Sequence, residues 1–117
     1  MSRDCWRENE MTEFYRVIIR PDALQDVKNY YEYVAGYSSE KAVKWFNGLF
    51  EVINWLTTMQ KRCSIAPETN WIGQEIRCLV YRKYYRILYT IEKDAVRIHH
   101  IRHTSQEMMS PEEFFTQ

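Results

Sequence analysis

The sequence predicts an α+β fold in the order β-α-α-β-β-β: an antiparallel four-stranded sheet with two N-terminal helices packed on one face and a short C-terminal helix. Three observations predict it. Two amphipathic stretches with helical spacing run from residue 21 to about 61. Three β-rich runs joined by short turns follow between residues 75 and 102, and one isolated β-rich run comes before the helices. At 117 residues the chain is long enough for one domain with its own core and too short for two of ordinary size.

Each element follows from local chemistry. Residues 1–13 are polar and lack any period, so a flexible leader is expected ahead of a single domain at 14–117, with Met1 or Met11 as the start. Phe14 to Arg20 (FYRVIIR) is aromatic and β-branched and reads as a strand. Pro21 stops it and suits the first turn of a helix, where its missing N–H is not needed. Ala23, Val27, Tyr30, Tyr31 and Val34 then recur at helical spacing as far as Gly36, a natural terminator. Ser38 and Ser39 can cap a second helix reaching Gln60 or Lys61. Its stripe of Ala42, Phe46, Leu49, Ile53 and Leu56 predicts a buried face, with Trp45, Val52, Trp55 and Met59 beside it as core rather than a stacking platform.

Arg62 to Gln74 carries Pro67, Asn70 and Gly73 and reads as a loop. The strands Glu75 to Arg82, Tyr85 to Ile91 and Ala95 to Arg102 have connections so short that antiparallel neighbours are required. Ser110-Pro111-Glu112-Glu113 has the cap, first-turn proline and third-position Glu of a helix start, leading into Phe114 and Phe115.

Composition narrows the class. With 45% hydrophobic and 27% charged residues the chain is not disordered, and nine Tyr, five Phe and four Trp can fill a small core. No apolar run approaches the roughly 20 residues of a membrane span, and no secretory-type run opens the chain, so a cytoplasmic location and no membrane partner are expected. Cys5, Cys63 and Cys78 form no Cys-x-x-Cys pair and have no His at zinc spacing, so neither a metal nor another cofactor is expected. The net charge of zero conceals fourteen basic against nine acidic residues between Phe14 and His103, with acidic segments at both ends. Such a surplus fits a solvated surface or an anionic partner, nucleic acid or acidic peptide.

The order of elements, the strand Tyr85-Arg86-Ile87-Leu88-Tyr89, the acidic turn after it, and the ending Ile98-His99-His100-Ile101-Arg102-His103 resemble the RelE/ParE toxin superfamily from about Phe14 to Gln106. The resemblance implies the toxin of a type II toxin–antitoxin pair, with a cognate antitoxin as partner. It does not settle the target, for which a metal-independent, ribosome-dependent mRNA endonuclease is the first reading and the others are alternatives. Some members cut mRNA on the ribosome without a metal, others inhibit DNA gyrase, and a third outcome is a non-toxic relative that only binds an antitoxin.

RNA cleavage without a metal requires a base, a cation against the phosphate and an acid for the leaving oxygen. Arg86 stands where RNA-cutting members carry a phosphate-stabilising Arg, and His103 ends the last strand where the family often places a His. The endonuclease reading therefore assigns catalysis to Arg86 and His103 and phosphate or nucleic-acid binding to Arg77, Arg82, Lys83 and Arg102. On that reading Arg86→Ala abolishes toxicity and leaves the fold intact. The bland alternatives are an Arg86 paired with a neighbouring Glu and a His103 that hydrogen-bonds the C-terminal helix. Alternation sends His99 and His100 to opposite faces. The chain also departs from the nuclease pattern: Thr104, Ser105 and Gln106 replace basic residues, and Phe114 and Phe115 stand where a Tyr would serve. Of the four tyrosines Tyr81, Tyr84, Tyr85 and Tyr89, most are expected to pack.

Overall fold

The computed structural model describes residues 14–106, 109 and 111–115; the expected leader and the Ser110 cap lie outside them. The elements run β1 (Arg16–Ile19), α1 (Pro21–Ala35), α2 (Ser39–Met59), β2 (Ser64–Ile65), α3 (Thr69–Ile72), β3 (Arg77–Tyr81), β4 (Tyr85–Glu92), β5 (Ala95–His103) and α4 (Pro111–Phe115). Both long helices and the three late strands stand where spacing and turns put them. Ser38 caps α2, its side chain accepting from the Lys41 N–H at 3.2 Å. Gly36 does end α1, but at φ −62°, so the stop does not depend on a left-handed glycine.

The sheet corrects the expected topology. It has five strands in the order β1-β5-β4-β3-β2, and it is mixed, because β1 lies parallel to β5 with Arg16 opposite Ala95 and Ile19 opposite Ile98. The fifth strand is β2, two residues long and inside the stretch expected to be loop; it pairs antiparallel with β3 through Ser64–Cys78 and Ile65–Arg77. β1 is joined to the rest of the sheet through two helices, a crossover long enough to allow parallel pairing, which the short turns between β3, β4 and β5 do not. The hairpins β3–β4 and β4–β5 are antiparallel, as the short turns require.

Helices α1 and α2 cover one face. Between them and the sheet lie Ala23, Val27, Trp45, Leu49, Ile53, Leu56, Tyr81, Ile87, Tyr89, Val96, Ile98 and Ile101. Ile53 is buried as expected, so Ile53→Asp would leave an unpaired charge in this core and prevent folding. Phe46 and Trp55, both expected in the core, are instead 37% and 41% exposed, and Trp45 from the neighbouring stripe is buried. The contact face is thus rotated toward Trp45, whose ring packs against Tyr30, Tyr81 and Tyr85. The second face, expected to be bare of the long helices, has its own core of Ala66, Ile72, Ile76, Leu88, Met109 and Phe114 beneath α3 and α4. Among the described residues no helix is long and apolar enough to cross a membrane.

The Tyr81 hydroxyl crosses to α2 and donates to the Trp45 carbonyl at 2.7 Å, directly over Gly48. A Cβ on Gly48 would collide with that hydroxyl. Gly48→Ala gains about 1 kcal/mol of helix propensity. It also evicts a buried hydrogen bond, which costs about 1–3 kcal/mol before any repacking. The expected net result is a destabilised protein, read as a lowered melting temperature.

A bulge in β5 changes which residues face where. The pairing steps from Leu88–His100 to Tyr89–Ile98, leaving His99 without a partner on β4. Strict alternation fails at that point. Both imidazoles meet Phe114 of α4, His99 stacked at 4.6 Å and His100 tilted at 5.6 Å, so the expectation of opposite faces is corrected.

Candidate functional site

The residues singled out for catalysis sit on adjacent strands, but they do not converge. In the β4–β5 register Tyr85 faces His103 and Arg86 faces Arg102. Successive residues of a strand project to opposite faces. His103 therefore lies with Tyr85 on the face of the long helices, and Arg86 and Arg102 lie on the face of α3 and α4.

On the second face Arg86 is fully engaged by Glu68, from the loop before α3. Its guanidinium donates two parallel hydrogen bonds, Nη1 to Oε2 and Nη2 to Oε1, each 2.8 Å. The Glu68 side chain is 0% exposed and that of Arg86 16%. The Met109 N–H also donates to Glu68 Oε2 at 3.2 Å, tying the segment before α4 to the pair. Burial pushes the Glu68 carboxyl up, but the Arg86 fork and the N–H groups of Glu68 and Met109 outweigh it and hold the group below its ordinary value. Arg86 is driven further toward the charged form, first by Glu68. Burial raises the neighbouring Cys78 thiol. The site is a closed ion pair on the floor of a groove of about 320 Å³ walled by Ser64, Ile65, Pro67, Val80 and Thr104. Arg102, beside Arg86, has the Glu113 carboxylate at 3.7 Å. Two neighbouring guanidiniums are each matched by a carboxylate, so this face presents little net positive charge to a phosphate.

His103 stands in a different pocket, of about 400 Å³, lined by Asn29, Tyr30, Tyr33, Tyr85, Ser105 and Gln106. Its Nδ1 accepts the Ser105 N–H at 3.1 Å and lies 2.8 Å from the Ser105 hydroxyl. That assigns the proton of the neutral ring to Nε2. Among the described residues the hydrogen-bond partner of the His103 ring is Ser105, not the C-terminal helix, which is one of the two alternatives for it. The His103 N–H is shared between the Tyr30 hydroxyl at 3.0 Å and Gln106 Oε1 at 2.9 Å, and Tyr30 donates to the same Gln106 oxygen at 2.8 Å. Tyr84 stacks parallel to the imidazole and Tyr85 meets it edge-on. Burial raises the hydroxyl pKa of both Tyr30 and Tyr85.

The other basic candidates scatter. Arg77 is a clip at the far edge of the sheet, donating to the Lys61 and Cys63 carbonyls and to Glu75. Arg82 and Lys83 form the tip of the β3–β4 hairpin, both with left-handed backbone, φ 53° and 70°. Arg82 Nε donates to the Tyr81 hydroxyl at 3.0 Å, and Lys83 is exposed. Sequence reasoning missed Glu68 and Tyr30. Glu68 sits in a Pro-containing loop, where no period marks a buried carboxylate, and Tyr30 was read only as a core position.

Comparison with curated protein sequences finds no match. Among solved structures, the chain resembles one described as the chromosomal ParDE TA system from P. aeruginosa, with a TM-score of 0.61 and 18% identity, covering 77% of this chain and 96% of that one. At that identity the likeness speaks for the fold. Residues 17–108 match the family described as the ParE toxin of type II toxin-antitoxin system, parDE. That span reaches from β1 past the end of β5, and the chain belongs to the ParE toxin family.

Proposed function

We propose that the protein is the toxin of a type II toxin–antitoxin pair and that it acts by binding its target, as an inhibitor of DNA gyrase, rather than by cutting mRNA. The observation that carries this reading is the separation of Arg86 from His103 on opposite faces of the sheet, with Arg86 already neutralised by Glu68. A phosphate would have to displace a buried, bidentate carboxylate to reach the guanidinium, and a proton-transfer group on the far face could not serve the same phosphorus. Inhibition by binding needs no such convergence.

The partner is an antitoxin, as family membership suggests. Its apolar segment fits the groove between the long helices, about 540 Å³, lined by Leu24, Val27, Tyr31, Val43, Phe46 and Phe50 with Lys28 and Glu32 among them. Leu24, Val43 and Phe46 are 50%, 46% and 37% exposed there, apolar surface of the kind that the apolar face of an amphipathic helix covers. Arg86 is already covered by Glu68, which leaves the hairpin-tip cations Arg82 and Lys83 for contact with an acidic part of the antitoxin.

The test is to add purified protein to gyrase supercoiling reactions and, separately, to translating ribosomes. The expected result is loss of supercoiling with intact mRNA. Cleavage of mRNA on ribosomes that disappears in His103→Ala would overturn the reading in favour of the endonuclease.

A further inference from the structure

We propose that the toxin grips its target protein through an aromatic patch of Tyr33, Tyr37, Tyr84 and His103, and that the part of the target seated there is acidic. This rests on the inhibitor reading and adds to it the surface that acts. An inhibitor without chemistry of its own needs a face for its target, and the groove between α1 and α2 is assigned to the antitoxin. Leu24, Val27, Lys28 and Tyr31 of α1 line that groove, whereas Asn29, Tyr30 and Tyr33 line the pocket beside His103. At helical spacing these two sets lie on opposite flanks of α1. The patch is continuous. Tyr37 meets Tyr33 edge-on at 5.4 Å, Tyr33 and His103 line the same pocket of about 400 Å³, and Tyr84 stacks on the imidazole at 6.1 Å. Tyr33, Tyr37 and Tyr84 are 64%, 78% and 57% exposed. Single exposed apolar residues need no explanation, but a contiguous group marks a contact surface. Tyrosine suits such a surface, with a stiff apolar body to bury and a hydroxyl that keeps it wet until then.

The polar groups select the sign of the partner. Among the described residues that line the pocket none is acidic. The Ser105 N–H occupies Nδ1 of His103 and leaves Nε2 as a donor. The Tyr30 hydroxyl and the His103 N–H occupy the Gln106 side-chain oxygen and leave its amide nitrogen as a donor. Two donors in one pocket suit a carboxylate. Outside the pocket, Arg82 and Lys83 come just before Tyr84 at the exposed hairpin tip, so positive charge borders the ring that covers His103. Both hold the left-handed backbone that Asn-Gly ordinarily fills in a two-residue turn. Strain kept at two cationic side chains points to a use for them. The tip serves both partners, so an antitoxin seated in its groove and on the tip excludes the target.

The experiment measures binding of the intact protein to immobilised, purified gyrase by biolayer interferometry, with supercoiling assayed in parallel. Wild type is expected to bind and to inhibit. Tyr33→Ala and Tyr37→Ala, whose rings touch each other on the surface, should melt like wild type and each bind about tenfold more weakly, through faster dissociation. Lys83→Glu should act on association instead, slowing it at low salt and converging on wild type as salt rises. Weaker binding by the tyrosine variants with association unchanged in Lys83→Glu overturns the acidic occupant. Wild-type inhibition matched by all three variants overturns the surface and leaves the inhibitor reading standing. Wild type that neither binds nor inhibits gyrase overturns both.

Discussion

Glu68→Ala is expected to destabilise the protein by about 3–5 kcal/mol, enough to leave a large fraction of it unfolded at ordinary temperature. The loss comes from Arg86. With Glu68 removed, a guanidinium whose side chain is 16% exposed keeps its charge and loses both of its short hydrogen bonds. The Met109 N–H loses its acceptor at the same time, which loosens the segment before α4. Arg86→Ala should cost a similar amount, because it leaves the fully buried Glu68 carboxylate alone. This revises the expectation that Arg86→Ala spares the fold: loss of toxicity in that variant reports instability as readily as chemistry. The double variant Glu68→Leu with Arg86→Met is expected to recover much of the stability, since a buried pair often breaks even against apolar residues of similar volume. Urea midpoints of the four proteins measure this. A double variant no more stable than the single ones would show that the pair is needed for more than its own neutralisation.

The second large effect is on pH. His99 is held at a pKa of about 4, by burial first and then by Arg20 and His100. Its folded pKa is depressed below the unfolded value of about 6.5, so the unfolded chain takes up the proton more readily. The contribution is therefore complete above pH 6.5 and declines as pH falls toward 4, by up to about 3 kcal/mol in the limit of the full shift. The neutral ring lies 2.9 Å from the Thr90 hydroxyl and stacks on Phe114, so protonation also weakens the hold on α4. His99→Gln should flatten the stability profile between pH 6.5 and 4.5, a range above most carboxylate titrations. Parallel profiles for the variant and wild type would show that another group carries the acid sensitivity.

How far the sequence is legible depends on the range over which each feature is written. The two long helices and the β3-β4-β5 meander are local: their signals are spacing, a cap and short turns, and they stand where residues 21–60 and 75–103 put them. Leu88 and Tyr89 already announced two covered faces, since both positions of the alternation are apolar. Two-residue β2 and four-residue α3 carry too few positions for any period, and nothing local marks β1 as the parallel neighbour of β5, so the sheet was expected with four strands, all antiparallel. The bulge at His99 is a register shift with no marker of its own, and it moved an imidazole to the face that alternation denied it. Trp45 and Phe46 are neighbours on a broad apolar helix face, and only the position of Tyr85 and Tyr81 beneath decides which is buried. At the site, Arg86 and His103 were legible as residue types. Their divergence follows from the pairing of Tyr85 with His103, and the capture of Arg86 by Glu68 from a contact eighteen residues away.

The pairing of β1 with β5 also orders events in time. Among the described residues the first strand pairs with the last one alone, so β1 has no described strand to join until β5 has left the ribosome. Before that, α1 and α2 can only form a helical hairpin with an uncovered apolar face. Closing so long a loop precedes any gain from the strand pairing, which slows folding. A partner that reaches the nascent helices would therefore meet them before the sheet does, and the interval in which the chain is most exposed to aggregation is also the one in which it has yet to become a toxin.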